Sequence, residues 1–209
     1  MPLLLGLTGN IASGKTTVGK MLLELGAARY IDADEVVHRL YAKDQPIYTG
    51  VVAAFGEEIL TPEGEIDRRK LGAIVFNDAE KLKQLEGIVH PAVGLALAQE
   101  IQTLPDEAVA VIDAVKLLEG GLGALCHKRW LVVCQERLQL KRLMGRDGFT
   151  EEEARARLRA QPPIKPKLKL VDEVIDNSRT LGHSRAQVKA AWARFREPEA
   201  PEEEIPLLF

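Results

Sequence analysis

Short apolar runs alternate along this chain with longer stretches of helical spacing. Residues 3–7, LLLGL, form a run stopped by Thr8 and Gly9, the mark of a buried strand. In TTVGKMLLELG, Val18, Met21, Leu22 and Leu25 recur at helical intervals, and Gly26 stands where glycine commonly ends a helix. ARYIDAD, 28–34, reads as a second strand ending in acids. AVAVIDA, 108–114, is apolar on both faces, as a central strand of a parallel sheet must be. RWLVVC, 129–134, and DEVIDN, 172–177, add a fourth and a fifth. Strands separated by helices predict an α/β fold, a parallel five-stranded sheet flanked by helices.

Two stretches break that rhythm. Residues 35–104 read as helical, with a turn at TPEGE and a break at HPAV, which predicts an insertion of helices between the second and third strands. Residues 145–169 are dense in charge, carry an N-cap at Thr150 followed by three glutamates, and end among prolines, the composition of a mobile helical flap. The tail REPEAPEEEIPLLF is proline-rich and acidic and is expected to be disordered over 197–209. The expected organisation is one domain over 1–196, with its core in 1–34, 105–146 and 170–196, an insertion over 35–104 and a flap over 147–165.

Composition narrows the classes. A chain of 209 residues buries roughly 70% of its unfolded surface and folds without a disulfide or structural metal. A net charge of −3 argues against nonspecific binding to a nucleic-acid backbone. No apolar run approaches the eighteen or so residues a membrane span needs, and MPLLLGLTG lacks a basic leader. Cys126 and Cys134 read as small buried residues. Together these point to a cytoplasmic protein with no nucleic-acid or membrane partner; the same charge is compatible with a phosphorylated small-molecule ligand. A monomer or weak homo-oligomer is expected, independently of composition.

The candidate chemistry begins at residue 9. Gly9, Asn10, Ile11, Ala12, Ser13, Gly14, Lys15 and Thr16 fit the phosphate-loop pattern G-x-x-x-x-G-K-[ST], between a strand and a helix. Glycines let successive amides converge on phosphate oxygens, and the helix that follows adds its positive end. Lys15 reaches β- and γ-phosphates, and the Thr16 hydroxyl can ligate Mg²⁺. Asp113, ending the central strand, is a second candidate for the Mg²⁺ shell, or else a solvated strand-end acid. Asp32 and Asp34 lie on one side of the chain if the extension continues, poised for proton abstraction or equally for helix capping. Arg137, Lys141, Arg142 and Arg146 sit on a helix after a strand, with Arg142 and Arg146 on one face. They could stabilise charge on a transferring phosphoryl group, or form a solvated basic face. His90, before Pro91, and Arg68 and Arg69 lie in the insertion.

Eight pieces in order, GLTGNIASGKTTV, IDADEVVH, FGEEILTPEGEIDRRKLGAIVF, LEGIVHPAV, VIDAVKLLEGG, QLKRLMGRDG, RLRAQ and DEVIDN, resemble the dephospho-coenzyme A kinase family over nearly the whole chain. The resemblance implies a phosphate-loop kinase fold with a helical acceptor-binding insertion and a lid over 147–165. It implies ATP and Mg²⁺ bound by Lys15, Thr16 and the backbone from Ala12 to Thr17, with Asn177 near the adenine. Asp34 matches the family's general base to the ribose 3′-hydroxyl of dephospho-coenzyme A, Arg142 and Arg146 match its lid arginines, and Arg69 and His90 are acceptor contacts. Asn10 and Ala12 stand where the family has glycine, and Lys116 introduces a charge where the family has an apolar residue. Three rival readings are another small-molecule kinase of nucleoside monophosphate or shikimate type, a nucleotide-switched regulator, and a catalytically silent ATP-binding module. The second lacks an Asn-Lys-x-Asp run for guanine.

Overall fold

A computed structural model of the chain describes residues 1–197; the tail expected to be disordered lies, from residue 198 on, outside the described residues. Five strands, β1 (Leu3–Thr8), β2 (Arg29–Asp32), β3 (Val109–Asp113), β4 (Lys128–Val133) and β5 (Glu173–Asp176), form one sheet in the order β2-β3-β1-β4-β5, every pair parallel. All of β3 is buried, so its small and β-branched side chains are covered on both faces.

Alternation sends successive side chains to different cores. Leu5, Leu7, Val109 and Val111 pack with Val18, Met21 and Leu22 of α1 (Lys15–Glu24) and Val188 and Ala191 of α9 (Leu181–Arg196). Ile112, in contrast, packs with Ala33, Leu117 and Cys126 on the other face. Burial pushes the Cys126 thiol up to about 11.

Between β2 and β3 run α2 (Ala33–Leu40), α3 (Pro46–Phe55), α4 (Arg68–Val75) and α5 (Ala79–Gln102). They share a core of Val36, Ile47, Val51, Phe55, Ile59, Leu71, Val75, Val93 and Leu97. Asp67 caps α4 and Asp78 caps α5 through bonds to the first free amides. The turn at TPEGE is held by an antiparallel bridge between Leu60 and Ile66. The break expected at HPAV does not occur, because α5 continues through Pro91. A mid-helix proline costs about 3 kcal/mol. Full burial of a Val or Leu returns roughly 1.5–3 kcal/mol each, and Val93 and Leu97, both beyond the proline, are 5% and 2% exposed. Packing therefore overrides the local breaker.

After β4 come α6 (Glu136–Asp147), α7 (Glu151–Arg159) and the single turn α8 (Ile164–Lys167). Thr150 and Glu153 cap α7 reciprocally, as the TEEE run suggested. Among the described residues no helix is long and apolar enough to cross a membrane.

Candidate active site

The carboxyl ends of the strands share one edge, with Asp32 beside Asp113 in register. The loop from Gly9 to Gly14 leaves β1 in the middle of that edge and turns into α1. Gly9 (φ 153°) and Gly14 (φ 100°) lie where side chains are strained. A Cβ at Gly9 would stand 2.4 Å from the Val132 carbonyl oxygen, and one at Gly14 1.9 Å from Asn177 Nδ2. The two non-glycine residues noted in the loop differ from each other. Asn10 is not left-handed, whereas Ala12 is, with φ 58°, a conformation costing an ordinary residue about 1–2 kcal/mol.

Five consecutive carbonyls hold this loop in place. Gly9 accepts from Lys15 Nζ (3.1 Å), Asn10 from the Ser13 amide (3.1 Å) and Ile11 from Gln139 Nε2 (2.7 Å). One guanidinium nitrogen of Arg142 donates to both Ala12 (3.0 Å) and Ser13 (3.1 Å), and Asn177 Nδ2 also donates to Ser13 (2.8 Å). Asn177, buried, is oriented in turn by the Ser184 hydroxyl at 2.8 Å. Hydrogen bonds from a charged group contribute about 1.5–3 kcal/mol each, so Arg142 alone outweighs the strain at Ala12. With its carbonyls turned into protein, and with the Thr17 and Val18 amides donating to the Gly14 carbonyl at 3.0 and 3.1 Å, the loop leaves the Lys15 and Thr16 amides at the start of α1 to face the cleft they line.

At the end of β3, Asp113 is almost fully buried. Its Oδ2 accepts a short hydrogen bond from the Tyr30 hydroxyl, while Oδ1 has no hydrogen-bond partner and lies 3.9 Å from Lys15 Nζ. Burial pushes its carboxyl up to about 6, with Lys15 and the Tyr30 hydroxyl pulling the other way. Burial, and then the Asp113 charge, hold the Tyr30 phenol far above its ordinary value. A raised carboxyl means that between its ordinary 3.8 and about 6 the folded protein keeps a proton the unfolded chain has released. Stability is then full below the unfolded value, falls as pH rises through the folded one, and stays lower above it, by up to about 3 kcal/mol. Asp113→Asn is expected to flatten this slope and to raise the nucleotide-free melting midpoint at pH 7 by roughly 2–6 °C. Thermal unfolding from pH 4 to 7 measures it; an unchanged slope would show that Lys15 already neutralises the buried charge.

Asp32 and Asp34 divide the two readings open to them. The strand ends at Asp32, which caps α2 by accepting from the Asp34 and Glu35 amides at 3.0 and 3.2 Å. Asp34 therefore sits in the first turn of a helix, not on a continuing extension, and lines the cleft. The cleft walls, followed by the Asp32 carboxylate, raise its carboxyl above the ordinary value, while Lys15, the Val115 backbone and Lys116 oppose that rise. The added charge of Lys116 thus falls on the Asp34 side of the site.

One cleft of about 980 Å³ gathers Ile11, Ala12, Gly14, Lys15, Thr16, Thr17, Asp34, Arg142, Arg146 and Asn177. Ser13 and Asp113 lie beneath it, each with a buried oxygen lacking a hydrogen-bond partner. Arg142 serves as a clamp on the loop, whereas Arg146 is exposed and pairs bidentately with its neighbour Asp147 at 2.7 and 2.9 Å. Arg137 turns to Gln135 (2.9 Å), and Lys141 joins the cleft wall. Arg69 and His90 are exposed and do not line the cleft; Arg68 contacts His38 at 2.8 Å and lies over the Tyr41 ring. Sequence reasoning missed Tyr30, Gln139, Gln161 and Lys167. An aromatic beside an acid in RYID hinted at the first, but a glutamine or lysine that contacts a distant segment leaves no local pattern.

The dephospho-CoA kinase family model matches residues 3–182. The chain is 45% identical over 195 residues to a dephospho-CoA kinase of Carboxydothermus hydrogenoformans, covering 92% of this chain and 94% of that one. It is 47% identical over 192 residues to one from Geobacillus kaustophilus, covering 91% and 95%. A crystal structure from Thermus thermophilus superposes with a TM-score of 0.80 at 31% identity, over 94% of this chain and 99% of that chain. The dephospho-CoA kinase of Campylobacter jejuni superposes with a TM-score of 0.53 at 29% identity, over 91% and 96%. The family match spans the loop, the helices after β2 and the strands that frame the cleft, and the chain belongs to the dephospho-CoA kinase family.

Proposed function

We propose that this chain transfers the γ-phosphoryl group of ATP to the ribose 3′-hydroxyl of dephospho-coenzyme A, releasing ADP and coenzyme A. The observation that carries this reading is a single cleft in which Lys15 and the amides of α1 share the walls with Asp34, in a chain of this family. A loop that grips phosphate suits a donor, and a carboxylate in the same cleft suits a hydroxyl acceptor.

In the reaction, the 3′-hydroxyl oxygen forms a bond to the γ-phosphorus as the bond from that phosphorus to the β–γ bridging oxygen breaks. Asp34 takes the hydroxyl proton, and ADP leaves. Lys15, with its own amide and that of Thr16 at the start of α1, neutralises charge on the transferring group. Arg142 keeps the loop in its binding shape. Arg146 adds positive charge once it exchanges Asp147 for phosphate. Asn177, with Arg179 and Leu181, forms the wall on the β5 side, suited to the nucleotide base.

Mg²⁺ fits the same place. Asp113 Oδ1 is a buried acceptor without a hydrogen-bond partner, and Thr16 lines the cleft with its side chain hydrogen-bonded to Tyr30, the residue that also holds Asp113. These two residues would hold the ion with its water shell, and a bound Mg²⁺ supplies further neutralisation of the β- and γ-phosphate oxygens. The helices of 35–104 would carry the acceptor, with Arg69 and His90 reaching it from the surface of that unit. Residues 147–165 would act as the lid that keeps water from competing with the hydroxyl.

The test is ADP release by purified protein with Mg-ATP, with and without dephospho-coenzyme A, together with mass analysis of the product. Stimulation by that acceptor and a product heavier by one phosphate at the 3′ position are expected. Stimulation by shikimate or a nucleoside monophosphate instead, or ATP binding without turnover, would overturn the reading.

A further inference from the structure

Residues beyond α7 touch the phosphate loop. The Ile11 amide donates to Gln161 Oε1 at 3.1 Å, and Asn10 Nδ2 donates to the Pro162 carbonyl at 3.1 Å. From the opposite side, Gln139 Nε2 of α6 donates to the Ile11 carbonyl at 2.7 Å. An amide N–H can only donate and a carbonyl can only accept, so the polarity of each glutamine is dictated by the backbone. Gln161 must offer oxygen and Gln139 must offer nitrogen. Two glutamines from different elements thereby fix both peptide planes flanking Ile11, immediately before the left-handed Ala12.

The segment that carries Gln161 is itself anchored. Lys167, 3% exposed, donates to the Val115 carbonyl at 2.9 Å and lies 3.2 Å from Glu119 Oε1. Residues 161–167 are therefore a fixed footing, tied at one end to the loop before α1 and at the other to the segment after β3. A glutamine serving merely to finish α7 would bond within its own turn; this one reaches a residue 150 positions away.

We propose that Gln161 is a positioning residue for nucleotide binding, holding the phosphate loop from the footing of the lid so that loop geometry depends on that footing being seated. The inference rests on the reading of this loop as the ATP site. Removing the hydrogen bond frees Ile11 and loosens the turn that aims the α1 amides, and this weakens ATP far more than the acceptor.

The experiment compares Gln161→Leu, Gln161→Glu and Gln139→Glu for KM of ATP, KM of dephospho-coenzyme A, and melting midpoint. Gln161→Leu is expected to raise KM for ATP about tenfold, the effect of one lost hydrogen bond, with KM for the acceptor within about twofold. The two glutamates add the same charge beside the same residue, but only one keeps the polarity. In Gln161→Glu the carboxylate still accepts from the Ile11 amide, whereas in Gln139→Glu it faces the Ile11 carbonyl acceptor to acceptor. KM for ATP should therefore rise further in Gln139→Glu than in Gln161→Glu. Gln161 is half-buried, so its variants are expected to fold even if the buried Gln139→Glu does not. An unmoved KM for ATP in Gln161→Leu, or equal rises in both KM values with a lowered midpoint, would overturn the inference. Lys15→Ala separates the two levels: if it is inactive while Gln161→Leu leaves KM for ATP unmoved, only the positioning role falls. If Lys15→Ala is active, the reading of the loop falls.

Discussion

Lys15→Ala is expected to lower turnover by roughly 10³-fold or more, the scale on which a cation facing a transferring phosphoryl group acts. The side chain occupies the one place from which it can meet both parts of the site. Its Nζ donates to the Gly9 carbonyl and stands 3.9 Å from Asp113 Oδ1. Alanine removes the charge that should neutralise the phosphates and leaves Asp113 buried beside Tyr30 without its counter-cation. Two measurements separate those consequences. Single-turnover transfer should collapse at saturating ATP and acceptor. The nucleotide-free midpoint at neutral pH should fall modestly, and fall less near pH 5, where Asp113 takes up a proton. Near-normal transfer in this variant would remove the basis of the proposed mechanism.

Asp34→Asn carries the second large effect. Loss of a general base slows reaction by about 10²–10⁴-fold, and asparagine keeps the size of the side chain while losing its basicity. KM for ATP is expected to stay within about twofold, since Asp34 belongs to α2 and not to the loop. The pH profile adds an independent signature. Because the cleft walls and Asp32 raise the Asp34 carboxyl, the wild-type rate should climb with pH through a range above that of an ordinary aspartate. The variant's remaining rate should lose that limb. A variant that retains the full rate, or the same acid limb at a lower rate, would assign the proton to another group.

How much of this was legible in the chain depended on distance. Strands β1, β3 and β4 announced themselves as apolar runs, because parallel strands covered on both faces need little beyond composition; β5, at the sheet edge with Val174 exposed, left a weaker trace in DEVIDN. The loop was legible because a motif of this kind works through its backbone, whose conformation glycine spacing encodes locally. Pro91 misled, since burial of Val93 and Leu97 is a tertiary gain that a local pattern does not display. Asp32 and Asp34 could not be told apart until the point where the strand gives way to α2 was known. The positions around the loop were the least legible. Arg142 looked like a free basic group on a helix face, yet its guanidinium is spent on the Ala12 and Ser13 carbonyls and on the Asn177 carbonyl at 3.2 Å. Arg146 remains at the surface with Asp147, as a solvated basic face would. Ala12 looked like a misfit in its own loop, and the reason it is tolerated lies 130 residues away.

The strand order has a consequence for how the molecule is made. Leu3 pairs with Val109 and Leu5 with Lys128, so the central strand waits for neighbours from the second half of the chain. Contacts this remote close slowly, whereas the helices after β2, which share a core of their own, consist of nearer pairings. At the usual pace of about 5–20 residues per second, translation exposes the first strand for several seconds before its partners exist. The loop must wait longer still, for Gln139, Arg142, Gln161 and finally Asn177. The nascent chain thus has the partners of its helical insertion early and those of its loop late, so that a ribosome stalled before Asn177 holds a polypeptide with the whole phosphate motif but without the last of the side chains that brace it.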